Sequence, residues 1–87
     1  MKYFVYILYS EKIDRFYTGQ TQNLKNRLSR HNSGYEKFTK RGAPWKLMCF
    51  IECSTRSEAM KLELRIKNFK SQKRMKLYIQ EVVGSEK

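Results

Sequence analysis

Tyr6, Tyr17, Arg27 and His31, the chain's only histidine, bring two phenols, a guanidinium and an imidazole into the first third of the sequence. A phenol titrates near about pH 10 and an imidazole near neutrality, so this group can hold and move protons. A guanidinium stays charged throughout and presents its donors as a planar fork suited to oxyanions. A fifth side chain, the carboxylate of Glu63, comes from a later segment. The stretch YFVYILYSEKIDRFYTGQTQNLKNRLSRH, residues 3–31, carries the first four on consecutive short elements, and the remainder reads as scaffold around it.

The run over residues 3–9 is rich in aromatic and β-branched side chains and too short for a typical helix, so it reads as a strand. Phe4, Tyr6 and Leu8 fall on one face and Tyr3, Val5, Ile7 and Tyr9 on the other. Both faces are apolar, which places the strand in the middle of a sheet. Residues 10–15 form a hairpin-sized polar loop and residues 16–19 a short returning strand, bringing Tyr6 and Tyr17 close. From Asn23 the period changes. Leu24 and Leu28 are four apart, Thr21 or Asn23 can cap a helix, and Gly34 can stop it. On that helix Arg27 and His31 lie roughly 60° and 20° from Leu24, at the border of the buried stripe and facing a cleft beside the sheet.

Residues 32–44 form a loop whose Lys37, Lys40 and Arg41, with Lys46 just beyond, either contact phosphate or solvate a connector. Residues 45–53 read as a third strand, with Leu47, Cys49 and Ile51 on one side and Met48 and Phe50 on the other. The connection returns this strand to the free edge of the first, giving the order 2-1-3. Thr55-Arg-Ser-Glu58 is a capping box opening a helix to about Phe69, with Ala59, Leu62, Ile66 and Phe69 as its stripe. Glu63 lies about 40° from Ala59 on that wheel. It can pair with Lys67 at i,i+4, or turn into the cleft of Arg27 and Tyr6. Ser71 begins a last helix with Met75, Tyr78, Ile79 and Val82 at helical spacing, ended by Gly84. The sequence therefore predicts one α+β domain over residues 1–83, a three-stranded antiparallel sheet with three helices, and a tail at 84–87.

Eighty-seven residues bury only a modest core, consistent with a monomer or a weak homodimer. No apolar run approaches the roughly 20 residues of a membrane span and no signal-peptide pattern is present, so the expected location is cytoplasmic, with no membrane partner. Cys49 and Cys53 on one strand would sit roughly 13 Å apart, too far for a disulfide, and with one distant histidine they make no zinc site. The charge is more telling. Nineteen Lys and Arg against eight Asp and Glu give a net +11 and imply a polyanionic partner. Basic residues interleaved with aromatics favour nucleic acid over a membrane surface. The candidate contacts are Lys25, Arg30, Lys37, Lys40, Arg41, Lys67 and Lys70, although a solvated face accounts for much of such charge.

Taken together the residues resemble the GIY-YIG nuclease superfamily, in particular its small single-domain branch. The first signature reads Phe4-Val5-Tyr6 and the second Tyr17-Thr18-Gly19. Arg27 follows eight residues after that glycine and His31 four later, and the block from Ala59 to Lys67 is similar to the family helix that carries a glutamate. The resemblance implies a DNA endonuclease with one divalent ion, Mg²⁺ or Mn²⁺, held by Glu63. It also implies that Arg27 binds the scissile phosphate and that Tyr6 or Tyr17 takes a proton from the attacking water, with His31 as a relay. There are departures. Phe4-Val5 replaces Gly-Ile, Thr18 replaces isoleucine, Gln20 stands where some excision-repair relatives have lysine, and no residue matches a downstream asparagine of many relatives. Without a separate DNA-reading domain, the contacts would be to phosphates and the preference for branched or damaged DNA rather than sequence, with RNA left open. The competing expectations are a binding module of the same fold with weak or no catalysis, and a basic protein that holds a protein partner.

Overall fold

The structure is a computed structural model and describes residues 2–85. Strands β1 (Tyr3–Ser10), β2 (Arg15–Thr21) and β3 (Lys46–Cys53) form an antiparallel sheet in the order β2-β1-β3. Helix α1 (Leu24–Asn32) follows β2, a single 3-10 turn (Lys40–Gly42) precedes β3, and α2 (Arg56–Lys67) and α3 (Gln72–Ser85) complete the chain. The sheet order and helix count agree with the sequence reading.

Both apolar faces of β1 are covered. On one, Val5 and Ile7 pack with Cys49 and Cys53 of β3, Ala59 and Ile66 of α2, and Met75 and Ile79 of α3. On the other, Tyr6 and Leu8 pack with Trp45, Leu24, Leu28 and Tyr17. The strand thus separates a dry helical core from the face that carries the candidate site. No disulfide joins the two buried cysteines, and burial pushes the Cys53 thiol up.

The local chemistry explains the boundaries. In the hairpin, Asp14 takes φ +51°, a left-handed conformation that Asp tolerates better than most residues, and its carboxylate accepts from the Tyr9 hydroxyl at 2.5 Å. Its carbonyl accepts from Gln72 Nε2 at 2.7 Å, tying α3 to the turn. Asn23 caps α1 by accepting from the Asn26 amide at 3.0 Å, and Gly34 follows at φ +84°. Thr55 caps α2 through the Glu58 amide at 3.1 Å. The returning arm of the box reaches the Ser54 amide.

Three element ends and one strand register differ appreciably from the sequence reading. β2 continues through Gln20 to Thr21. α2 stops at Lys67, so Phe69 packs from beyond the helix end. The register of β1 and β3 shifts between Ile7 and Leu8, opposing Ile7 to Cys49 but Leu8 to Leu47. That bulge breaks the alternation, sending Leu47 to the Leu8 face while Met48 joins Cys49 and Ile51. Gly84 does not end α3, which runs through it to Ser85. Glycine stops a helix by adopting positive φ, and among the described residues Gly34 alone of the glycines does so. Of the expected tail, residues 86 and 87 lie outside the described residues.

Among the described residues no helix is long and apolar enough to cross a membrane. Ile66 is fully buried between α2 and β1. Ile66→Val should cost about 0.5–1.5 kcal/mol in urea unfolding, and an unchanged midpoint would contradict this packing.

Candidate active site

The site starts from an opening in the sheet. Tyr6 lies opposite Gly19 on β2, and a Cβ built on that glycine would come within 2.5 Å of the Tyr6 hydroxyl oxygen. The ring can cross β2 only because Gly19 has no side chain. Its hydroxyl then meets His31, near the end of α1, with 2.9 Å between Oη and Nε2. The other imidazole nitrogen, Nδ1, lies 2.8 Å from Thr39 Oγ1, and the Thr39 hydroxyl donates to the Glu36 carbonyl at 3.4 Å.

One proton assignment satisfies all three contacts: with the Thr39 hydroxyl on the Glu36 carbonyl, Thr39 accepts from Nδ1–H and Nε2 accepts from the Tyr6 hydroxyl. His31 is then neutral. That state agrees with its environment, since burial lowers its pKa; Glu36 opposes this, and Arg27 and Arg30 add to it. Tyr6 is only 2% exposed, and burial, followed by Tyr17, pushes its phenol well above the usual range. Arg27 pulls that value down, whereas Glu63 and Glu36 add to the rise.

Tyr17 is half-buried, diagonal to Tyr6 across the β1–β2 ladder. Its ring packs edge-on to His31 at 5.0 Å and to Trp45 at 6.2 Å, and lies 6.5 Å from the Tyr6 ring. Arg27 is half-buried on α1. Its Nη1 is 3.5 Å from Glu36 Oε1, and Arg30 Nη2 reaches the same oxygen at 3.4 Å. One carboxylate is thus shared by two guanidiniums.

Glu63 approaches from α2, on the opposite side of the sheet. Gln20, paired with Val5 at the β2 edge, donates from Nε2 to Glu63 Oε1 at 2.9 Å, while Lys67 Nζ lies 2.5 Å from Oε2. The i,i+4 pair with Lys67 is therefore formed, and the Glu63 side chain is only 17% exposed. Two surface hollows meet at Gln20. One is lined by Glu63, Met60 and Lys67, the other by Arg27, Asn23, Tyr3 and Arg56. The structure thus gathers Tyr6, Tyr17 and His31 into one cluster, sets Arg27 beside it and puts Glu63 in the adjoining hollow.

Among the described residues no group of three or more His, Cys, Asp or Glu could hold a metal ion. The donor at Glu63 is a lone carboxylate whose two oxygens are met by the Gln20 amide N–H and the Lys67 ammonium. A lone carboxylate suits a hard cation which retains most of its water and takes one protein carboxylate, and does not suit a dedicated all-protein cage.

The basic residues singled out from the sequence are all exposed. Lys25 and Arg30 lie on α1, Lys37, Lys40 and Arg41 on the connection to β3, Lys67 at the end of α2 and Lys70 in the link to α3. Sequence reasoning missed Glu36, Thr39 and Gln20 as organising residues. Glu36 had a legible mark, as the only acid between Asp14 and Glu52 in a basic stretch. Thr39 had none. Its position is set by Trp45, whose indole Nε1 donates to the Thr39 carbonyl at 2.7 Å, and by the Asn32 side chain holding the Trp45 backbone.

Compared with known protein families, residues 2–78 match the GIY-YIG catalytic domain. The chain belongs to the GIY-YIG family. The likeness extends to whole proteins. A UPF0213 protein of Staphylococcus saprophyticus is 38% identical over 77 residues, covering 87% of this chain and 93% of that one. Another, from Staphylococcus haemolyticus, is 39% identical over the same span and coverage. The solution NMR structure of a UPF0213 protein from Bacillus halodurans, 29% identical, superposes with a TM-score of 0.59 over 94% of this chain and 87% of that one. A GIY-YIG domain is the catalytic unit of a nuclease family, and this chain has the three-stranded sheet of its solved relative.

Two outcomes follow for this GIY-YIG domain. Gly19→Ala must displace the Tyr6 ring and should cost about 1–3 kcal/mol of stability, read by urea unfolding; a neutral substitution would mean that the ring does not lie across the glycine. His31 is held neutral when folded but takes up a proton near about pH 6.5 when unfolded, so the unfolded chain binds more protons on acidification. Stability should fall as pH drops from about 7 towards 5, more steeply than in His31→Asn. A wild-type protein that gains stability over that window relative to the variant would contradict a neutral His31.

Proposed function

We propose that this GIY-YIG domain is a divalent-metal-dependent endonuclease that hydrolyses DNA phosphodiester bonds in branched or damaged substrates. The observation that carries the reading is the Tyr6–His31 pair with Tyr17 packed against it and Arg27 alongside. The net charge of +11 and the exposed lysines and arginines supply attraction for the polyanion, mainly through its phosphates.

The two phenols take different roles. Tyr6 is buried, its pKa is raised, and its proton is committed to His31, so it serves to position the imidazole and the floor of the site. Tyr17 is the more accessible phenol and is assigned to the attacking water. Arg27 binds the scissile phosphate and stabilises the charge that grows on it. Its present partner, Glu36, gives way to phosphate, since a half-exposed ion pair of this kind contributes only about 0–1 kcal/mol. Glu63, with Gln20 behind it, would hold Mg²⁺ or Mn²⁺ together with retained water. Such an ion supplies Lewis-acid stabilisation of phosphate charge when bound. The protein works in the cytoplasm as a monomer or weak dimer.

A second reading has an observation of its own. Both carboxylate oxygens of Glu63 are already engaged, by Gln20 and by Lys67, and no second acid joins them among the described residues. This favours a nucleic-acid-binding module with little catalysis. A panel of plasmid, single-stranded, flap and junction DNA with Mg²⁺ separates the two. The nuclease reading expects cleavage that falls by roughly a hundredfold or more in Arg27→Ala and is lost in Glu63→Ala, with salt-sensitive binding retained in Glu63→Ala. Binding without cleavage above those variants would reject it and leave the module.

A further inference from the structure

The connection between α1 and β3 has two unlike sides. Glu36 and Thr39 point inward, Glu36 holding Arg27 and Arg30 and Thr39 holding His31. Tyr35 and Phe38, the residues next to them, point outward and are 80% and 92% exposed, more than any other large apolar side chain described. The backbone between them is pinned. Tyr35 N donates to Arg30 O at 3.2 Å, Lys40 N to Glu36 O at 2.9 Å, and Thr39 N to Glu36 O at 3.2 Å. Lys37, Lys40 and Arg41 are exposed on the same segment.

Two large rings left in water, on a braced loop and among cations, need a partner that offers both flat faces and negative charge. A single strand of DNA offers both, with bases to stack and phosphates to pair. A duplex hides its base faces within its own stack, and only its phosphates would be met. Protein-binding surfaces are poor in lysine, so Lys37 and Lys40 argue against a protein occupant.

We propose that Tyr35 and Phe38 form a stacking platform for unpaired bases of DNA, so that this loop selects substrates with a single-stranded segment beside the site. The inference rests on the nuclease reading for the phosphate that Arg27 meets, but the platform itself is a matter of binding and is tested without cleavage. Through Glu36 and Thr39 the loop that touches the bases is the same one that holds Arg27 and His31. A strand seated on the rings is therefore one residue away from the side chains that position the reactive groups.

The experiment measures affinity by fluorescence anisotropy, in wild type and in Tyr35→Ala/Phe38→Ala, for oligo(dT), for the same oligonucleotide with abasic positions, and for a duplex of equal length. The rings are exposed, so the variant should unfold thermally as wild type does. The expected result is a loss of roughly tenfold or more for oligo(dT) in the variant, with duplex affinity within about twofold. Removing the bases should weaken wild type and leave the variant indifferent. Equal losses on single strand and duplex, or a variant that still distinguishes abasic from intact oligonucleotide, would overturn the proposal. So would gel filtration showing that wild type self-associates through these rings and the variant does not. The two inferences fail separately: ring-dependent binding of oligo(dT) in a wild-type protein that cuts none of the DNA panel refutes the nuclease alone, and cleavage by wild type with oligo(dT) affinity indifferent to the two rings refutes the platform alone.

Discussion

A hydrogen-bonded chain through the middle of the molecule, Tyr6 to His31 to Thr39 to the Glu36 carbonyl, links the sheet, the first helix and the loop that follows it. Each member is buried or backed by backbone, and no buried side-chain polar atom among the described residues lacks a partner. A polar chain of this kind stabilises only when it is complete, because any member left unpaired in a dry environment costs more than the bond contributed. Gly19 is part of the same constraint, since without the space above it the phenol could not reach the imidazole. The glycine of the second signature is therefore required by the tyrosine of the first, across one rung of the ladder.

The charges around the chain are arranged for exchange. Glu36 sits between two guanidiniums, and Glu63 between an amide and an ammonium, so neither acid nor Arg27 is stranded in the free protein. All of these pairs are at least partly exposed, where ion pairs are weak and yield to a stronger ligand. In the proposed nuclease a phosphate arriving at Arg27 and a hydrated cation arriving at Glu63 would each displace a modest contact. Gln20 lies between these events, in contact with Glu63 and lining the same hollow as Arg27. Its place at the β2 edge joins the two sides of the sheet at the site.

Much of this was legible in the sequence because it depends on local rules. Apolarity on both faces of residues 3–9 demanded a central strand, and the caps at Asn23 and Thr55 fall where side chains can reach amides three residues on. The closeness of Tyr6, Tyr17 and His31 followed from the hairpin and the helix period. What was missed depends on the folded whole. The β3 bulge places Leu47 and Met48 against the expected alternation, and only the packing of Leu8 with Leu47 reveals it. Gly84 has the residue type of a helix stop without the backbone angle. Thr39 is an ordinary loop threonine until Trp45 and His31 fix it. For Glu63 the pairing with Lys67 is formed, and the carboxylate bonds to Gln20 in the hollow that adjoins Arg27's, on the other side of the sheet from the cleft the sequence offered.

The central claim is the protonation pattern of the chain, and the imidazole nitrogens of His31 report it directly. Long-range ¹H–¹⁵N correlation spectra of the folded protein near neutral pH should show a neutral ring with the proton on Nδ1 and Nε2 unprotonated. A ring protonated on Nε2 alone, or on both nitrogens, would contradict the direction assigned to the chain and with it the role given to Tyr6.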